Sequence, residues 1–140
     1  TPSFISDIAS EGIVFAVVFS PRGVRDLVFV AENRNNILPL LADANHPESY
    51  YNITGAVDIV YQDIAQRDQA DIFLKNVEVF LKPGGYGLVA IKARSIDVSR
   101  KPKAIFNEVR AYLEKNIIVI DYKILEPFEH DHCFIICKKK

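Results

Sequence analysis

The feature that most constrains the fold of this chain is an apolar run that ends at an acidic residue. Four of the five residues 57–61 (Val-Asp-Ile-Val-Tyr) are apolar, the run stops at Asp63, and a helical pattern follows. Such a run is typical of a strand buried on both faces of a parallel sheet. We therefore predict a central strand over residues 57–61. Ligands of open α/β sheets bind beyond the carboxyl ends of the strands, which is where Asp63 lies.

A second strand end of the same kind carries a cation. The apolar residues 87–91 (Gly-Leu-Val-Ala-Ile) lead directly into Lys92. The segment between the two runs has helical spacing over residues 66–81, and Lys82-Pro83-Gly84-Gly85 is predicted to end that helix. Asp63 and Lys92 thus follow two successive strands of one predicted sheet.

Strand and helix patterns alternate along the whole chain, which predicts a doubly wound α/β sheet. Strands are predicted at residues 13–19, 37–41, 57–61, 86–91, 117–125 and 132–137, and helices at 2–9, 20–30, 66–81 and 103–115. The run 13–19 is apolar throughout and is predicted to be buried. Val28 and Tyr112 are predicted to face inward on their helices. No helix separates the last two strands, so an antiparallel pair at a sheet edge is expected.

The composition excludes several classes of protein. A hydrophobic fraction of 49% in 140 residues supports a core and excludes a disordered chain. A net charge of −1 gives no bulk attraction to nucleic acid. No apolar run is long enough to span a bilayer and no signal peptide is visible, so no membrane association is predicted. Cys133 and Cys137 are predicted to be reduced thiols of a cytoplasmic protein, and no metal site is predicted.

Five segments occur in the order in which the fibrillarin family has them. They are Asp43-Ala44-Asn45-His46-Pro47, Asp63-Ile64-Ala65-Gln66, Gly84-Gly85, Ile91-Lys92-Ala93-Arg94-Ser95-Ile96-Asp97 and Glu126-Pro127-Phe128-Glu129-His130-Asp131-His132. The chain resembles archaeal fibrillarin over essentially its whole length. The resemblance implies an α/β, Rossmann-like sheet of an S-adenosylmethionine-dependent methyltransferase. It also implies 2′-O-methylation of ribose in RNA, in pre-rRNA and in tRNA.

The resemblance further implies partners and a location. The partners are a Nop-family scaffold protein, a box C/D guide RNA, a target RNA and, indirectly, a kink-turn-binding protein. The location is the cytoplasm of an archaeon, or the nucleolus if the source is eukaryotic.

Site residues follow from the resemblance position by position. The implied catalytic residues are Asp63, Lys92 and His132. The implied cofactor positions are Thr1, Val18, Phe19, Asp43, Ala44, Asp63 and Gln66. The implied RNA contacts are Arg94, Arg100, Lys101 and Lys103.

The chain departs from the family in two places. The family has a Glu that holds the cofactor ribose where this chain has Val18, and an apolar side chain cannot accept those hydroxyl hydrogen bonds. Of the family's glycine-rich loop only the last residue, Thr1, is present, so the first strand of the sheet is expected upstream of this chain. We expect either a companion N-terminal segment between the strands at 13–19 and 57–61, or pairing of those two strands with each other. A non-catalytic ribonucleoprotein subunit without cofactor is the alternative function.

The residues taken alone leave other roles open. Asp63 could cap the helix predicted from Gln66, and Asp43 could form a turn. Lys92 could extend its amine to solvent from a strand end, and His132 could be an ordinary edge-strand residue. The four cations could form a solvated loop. Within the predicted site, Lys92 is either a general base or an electrostatic anchor, because burial favours the neutral amine and a nearby Asp63 favours the ammonium.

Overall fold

The computed structural model describes residues 1–140, and helices and strands alternate along them. The helices are α1 (Pro2–Ile8), α2 (Pro21–Glu32), α3 (Tyr51–Thr54), α4 (Gln69–Phe80), α5 (Ala93–Ile96) and α6 (Pro102–Glu114). The strands are β1 (Val14–Val18), β2 (Ile37–Leu41), β3 (Val57–Asp63), β4 (Leu81–Lys92), β5 (Ile118–Ile124) and β6 (His132–Lys138), and a 3-10 turn covers Pro47–Ser49. The chain divides into two compact units, Thr1–Thr54 and Gly55–Lys140. None of the helices has the length and apolar character needed to cross a membrane.

The first unit is built on two parallel strands. β1 pairs with β2 in a register that runs from Val14 opposite Ile37 to Val18 opposite Leu41. Helix α2 connects them, and Ser20 caps this helix because its hydroxyl accepts a hydrogen bond from the Gly23 amide at 3.3 Å. The core of this unit consists of Ala16, Leu27 and Ile37.

Burial in the first unit is lower than the sequence predicts. The run 13–19 forms a strand, but Ile13 and Phe19 are 64% and 72% exposed, and only Ala16 is buried. Val28 is also exposed, which contradicts its predicted inward position. The physical reason is that β1 has a single strand neighbour, β2, so its apolar side chains meet few others.

The second unit is a four-stranded mixed sheet in the order β3-β4-β6-β5. β3 and β4 are parallel, whereas β6 runs antiparallel to both β4 and β5. The predicted antiparallel pair at the carboxyl end of the chain is therefore confirmed, with β6 inserted between β4 and β5. The prediction that residues 57–61 form the central strand is wrong, because β3 lies at the edge of this sheet and Ile59 is 58% exposed. The predicted alternative in which β1 and β3 pair is also wrong, since β1 pairs with β2 alone and β3 with β4 alone.

The connection between α4 and β4 is shorter in sequence than predicted. Helix α4 begins at Gln69 instead of Gln66, and β4 starts at Leu81, directly after the helix ends at Phe80. The segment 82–85, predicted to end the helix, forms a bulge inside β4, because Val57 pairs with Leu81 and Ile59 with Tyr86. Gly84 adopts a φ of +78° there, a conformation that suits glycine.

One face of the second sheet carries the main core. Helices α4 and α6 pack on the side that bears Val89 and Ile91, both of which are fully buried. The contact is close enough that a Cβ on Gly87 would lie 2.8 Å from the Phe73 ring. Tyr112 is an exception to the predicted inward face of α6, because it is 39% exposed and its hydroxyl donates to Asp71 instead.

Candidate active site

The three predicted catalytic residues lie at one end of the second sheet. Asp63 is the last residue of β3, Lys92 is the last of β4, and His132 is the first of β6. Asp63 pairs with Ala90, and Lys92 pairs directly with His132. Because β6 runs antiparallel to β4, its first residue lies beside the carboxyl end of β4. The structure therefore brings together what the sequence places up to 69 positions apart.

The same three residues also share a face of the sheet. Residues two apart in a strand, and residues directly paired across strands, project to the same side. Ala90 and Lys92 are two apart, so Asp63, Lys92 and His132 all project away from the face on which α4 and α6 pack. Tyr61 and Phe134 lie on that same face, with ring centroids 6.1 Å apart. Each is two residues from a predicted catalytic residue, Asp63 and His132 respectively.

A buried glutamine that the sequence analysis did not single out holds the backbone of Lys92. The Lys92 amide donates to Gln69 Oε1 at 2.9 Å, and Gln69 Nε2 donates to the Lys92 carbonyl at 3.3 Å. Gln69 is fully buried on α4. A signal for it exists in the sequence, since residues 69, 72 and 73 share one face of a helix, and a polar residue on an apolar face needs a partner.

One nitrogen of the His132 ring is held by a backbone carbonyl. Its Nδ1 donates to the carbonyl of His130 at 2.6 Å, and the side chain is 19% exposed. A neutral ring with its proton on Nδ1 carries its acceptor lone pair on Nε2. His132 can therefore accept a hydrogen bond from a ligand hydroxyl.

The alternative that Asp63 caps the next helix is wrong. Helix α4 begins at Gln69 and Asp68 is its cap residue, so Asp63 belongs to the end of β3.

The predicted RNA-contact residues differ in how far their charge is compensated. Arg94 Nε donates to Asp131 Oδ2 at 2.5 Å, although the Arg94 side chain is 79% exposed. Arg100 is paired in the same way with Glu108 at 2.5 Å. Lys101 and Lys103 are exposed at the start of α6. The two lysines are thus the stronger candidates for contact with phosphates.

In the first unit, two of the predicted cofactor positions line a common cleft. This cleft has a volume of about 280 Å³ and is lined by Thr1, Pro2, Ser3, Val18, Gly23, Asp26, Leu27 and Val30. A Cβ on Gly23 would lie 2.7 Å from Val18 Cγ1, so the valine occupies the space that a larger residue at position 23 would need. Phe19 does not line the cleft and is largely exposed.

Asp43 stands beyond the carboxyl end of β2, beside the end of β1. Ala42 donates to the Val18 carbonyl at 3.1 Å, which places positions 18 and 43 at the same end of the small sheet. Asp43 Oδ1 accepts from the Asn45 amide at 2.9 Å, so the predicted turn geometry is present and fixes both Asp43 and Ala44. Burial, with the Asp43 and Glu48 carboxylates nearby, raises the pKa of Tyr50 to about 12.

The cysteines belong to the core and not to a site. Cys133 and Cys137 are unpaired and fully buried, and burial raises the pKa of each thiol to about 12. No group of three or more His, Cys, Asp or Glu side chains in residues 1–140 is arranged to hold a metal ion.

Comparison with known proteins identifies the family. The fibrillarin family profile matches residues 1–140. The fibrillarin-like rRNA/tRNA 2′-O-methyltransferase of Methanocaldococcus jannaschii is 49% identical over 137 residues, which are 97% of this chain and 60% of that protein. The chain thus spans about 60% of the length of the curated relatives it matches.

Solved structures agree with the sequence comparison. A crystal structure of a fibrillarin/Nop5p complex superposes with a TM-score of 0.95 at 39% identity, over 99% of this chain and 66% of that one. Aeropyrum pernix fibrillarin with natively bound S-adenosylmethionine gives a TM-score of 0.79 at 42% identity, over 90% of this chain and 55% of that one. The predicted fold class, an α/β sheet of the S-adenosylmethionine-dependent methyltransferase type with antiparallel carboxyl-terminal strands, is confirmed. This chain belongs to the fibrillarin family.

Proposed function

We propose that the protein carrying this chain methylates ribose 2′-hydroxyls of RNA with S-adenosylmethionine. The observation that carries the proposal is the convergence of Asp63, Lys92 and His132 on one end and one face of the second sheet. It is supported by the names of the relatives, which are rRNA/tRNA 2′-O-methyltransferases, and by a related structure that contains the cofactor. Pre-rRNA is the first substrate class to examine, and tRNA is the second.

Within each unit taken separately, some of the residues implied by the resemblance have the chemistry to hold part of S-adenosylmethionine, whereas Phe19 lies outside the cleft and is exposed. In the first unit, Asp43 and Ala44 stand at a strand end where a carboxylate and a backbone amide would hold adenine, and Thr1 lines a cleft. In the second unit, Asp63 and Gln66 would contribute a carboxylate and an amide. Val18 offers no acceptor to ribose hydroxyls. The cofactor, when bound, supplies a methyl group activated by a sulfonium centre.

The chain's own residues supply orientation and proton handling. His132 Nε2 accepts the hydrogen bond of the ribose hydroxyl where Lys92 acts as an ammonium, and where Lys92 takes that proton His132 positions the ribose instead. Lys92 Nζ either takes up the hydroxyl proton as a base or, as an ammonium, stabilises charge that develops on the oxygen. Asp63, at the neighbouring strand end, orients the lysine. Lys92→Arg separates the two roles of the lysine, because arginine keeps the charge but cannot act as a base.

RNA recognition is proposed to depend on partners. Lys101 and Lys103, with the compensated Arg94 and Arg100, would neutralise only a few phosphates, which gives weak binding at cellular salt. A box C/D guide RNA would select the target by base pairing, and a Nop-family scaffold would hold the complex together. The fibrillarin/Nop5p structure supports the scaffold. A kink-turn-binding protein would join through the guide RNA, and the compartment proposed is the archaeal cytoplasm.

One observation favours a second function. Val18 lines the cleft of the first unit with an apolar side chain where the family's carboxylate is expected. A subunit that keeps its place in the ribonucleoprotein but no longer binds cofactor would have this property.

A calorimetric titration of S-adenosylmethionine into the intact protein, followed by methyl transfer to a guide-paired RNA, distinguishes the two functions. We expect saturable binding and a methyl group on the targeted ribose. Absence of binding, with assembly into the ribonucleoprotein intact, would contradict the enzymatic function and favour the structural subunit.

A further inference from the structure

The inward stripe of α4 contains two amides among its apolar residues. Its buried members are Gln69, Ile72, Phe73, Asn76, Val77 and Phe80. A buried amide side chain must find hydrogen-bond partners, and no buried side-chain nitrogen or oxygen in residues 1–140 lacks one. The two amides reach partners in different ways, and the difference is informative.

The Asn76 side chain donates a hydrogen bond within its own helix, and the Gln69 side chain bonds to the neighbouring strand. Asn76 Nδ2 donates to the Ile72 carbonyl at 2.8 Å, a contact confined to α4. Gln69 Oε1 accepts from the Lys92 amide, and its Nε2 donates to the Lys92 carbonyl. The Gln69 side chain thus forms two hydrogen bonds with the backbone of a predicted catalytic residue.

Gln69 takes the place of a strand neighbour at the end of β4. The last pair between β3 and β4 is Asp63 with Ala90, so Lys92 has no strand partner on the β3 side. A strand residue there would offer one donor and one acceptor to Lys92, and the amide of Gln69 offers the same two groups. The helix therefore completes the strand ladder and fixes the last residue of β4.

The same glutamine is bonded to two further segments of the site. The Gln69 side-chain Nε2 also donates to the Gln66 backbone carbonyl at 2.6 Å. The backbone carbonyl of Gln69 accepts a hydrogen bond from Gln62 Nε2 at 2.6 Å. Gln62 is buried and directly precedes Asp63. Gln69 consequently connects the strand end of Asp63, the Gln66 segment and the strand end of Lys92.

We propose that Gln69 is a positioning residue that holds the Lys92 backbone at the end of β4, so that the lysine amine is presented to the ribose hydroxyl during methyl transfer. This inference rests on the proposed function. A displacement of about 1 Å in a reacting group can lower a rate by about a hundredfold. Loss of the two hydrogen bonds between Gln69 and the Lys92 backbone should therefore lower the rate of the chemical step.

The test compares four variants in the intact protein assembled with its guide RNA and scaffold. Gln69→Ala removes the two side-chain hydrogen bonds to the Lys92 backbone, Asn76→Ala removes the other buried amide on the same face of α4, and Lys92→Ala removes the lysine side chain itself. Gln69→Glu keeps the shape. Thermal melts, cofactor Kd and single-turnover methylation rates are measured for each.

We expect Gln69→Ala to lower the single-turnover rate by at least about tenfold, with a smaller change in cofactor Kd. Asn76→Ala should keep the rate within about twofold, whatever it does to the melting temperature. For Gln69→Glu, the rate relative to the wild type should fall as the pH rises. The protonated acid can still donate to the Lys92 carbonyl and accept from its amide, whereas the carboxylate repels that carbonyl.

Each other outcome counts against the inference. Gln69 variants with the wild-type rate, while Lys92→Ala is inactive, would overturn it and leave the proposed function standing. Equal losses in Gln69→Ala and Asn76→Ala, or a failure of both Gln69 variants to fold, would assign Gln69 to folding alone. A wild-type protein without methyl transfer would overturn the proposed function and this inference together.

Discussion

Two apolar runs of the same kind, one in each unit, end in very different surroundings. β1 has one strand neighbour, and only Ala16 is buried along it. β4 lies between β3 and β6 with helices on one face, and both Val89 and Ile91 are fully buried. An apolar run therefore predicts a strand, but its burial depends on how many elements flank it. The second unit, which carries Asp63, Lys92 and His132, is the one with the continuous core.

The largest expected effect on this comparison comes from truncating one core residue in each unit. Phe73→Ala should lower the free energy of unfolding of the second unit by about 3–5 kcal/mol, because a fully buried ring leaves a cavity. Leu27→Ala, in a core of three residues, should cost about 2 kcal/mol, at the low end for such changes. Urea unfolding, with hydrogen exchange to assign each transition to a unit, measures both. Equal losses would remove the distinction between the two cores.

The sequence predicts the positions of helices and strands better than it predicts which elements pack beside them. The long helices and every strand except β4 lie close to their predicted positions, because period and breaker residues are local properties, whereas β4 begins five residues earlier than predicted. The edge position of β3 and the exposure of Val28 and Tyr112 were not predictable in this way. Periodicity reports which residues share a face, but not what packs against that face.

The candidate site shows the same limit. Asp63, Lys92 and His132 follow from strand ends and from family segments, and the structure places them together. Gln69 was missed because the Lys92 backbone groups that it bonds lie 23 positions away, and a helical pattern that marks a polar residue on an apolar face does not identify its partners. The roles of the individual residues stay predictions until variants are measured.

A carboxylate at position 18 would test whether the first unit supplies the cofactor ribose contact. Val18→Glu should tighten S-adenosylmethionine binding by about tenfold, or about 1.4 kcal/mol, because hydrogen bonds to a charged acceptor are strong. Val28→Glu, on the exposed part of α2, is the matched control and should leave the Kd unchanged. The measurement is isothermal titration calorimetry. Weaker binding by Val18→Glu would show that position 18 does not contact the ribose.

Alkaline pH should weaken the second unit through its two buried thiols. In the folded state the pKa of Cys133 and of Cys137 is raised to about 12, from an ordinary value of 9.0. Between these values the unfolded chain loses the protons that the folded chain keeps, so the free energy of unfolding falls as the pH rises above about 9. The loss at pH 10 should be about 1.4 kcal/mol per thiol.

Denaturant unfolding between pH 8 and pH 10.5 checks this thiol effect. A variant with Cys133→Ala and Cys137→Ala is the control, since it should show a shallower decline with pH. The same decline of the unfolding free energy with pH in both proteins would mean that the two thiols do not cause it.

The smallest expected effect concerns RNA contact by the second unit. Lys101→Ala and Lys103→Ala should each lower RNA affinity a few-fold and reduce the salt slope of binding by about one phosphate contact. Arg100→Ala should do less, because Glu108 already compensates that charge. Filter binding of the assembled complex at several salt concentrations measures the slopes. An Arg100 effect larger than those of the lysines would reverse the assignment.

The most direct test of the central claim, that the strand ends of the second unit carry methyl transfer, is the single-turnover methylation rate of Lys92→Ala in the intact assembled protein. We predict a fall of about 10²–10⁴-fold with an unchanged melting temperature and cofactor Kd, while Lys115→Ala, an exposed lysine after α6, keeps the wild-type rate. Methylation by Lys92→Ala at the wild-type rate would contradict the claim.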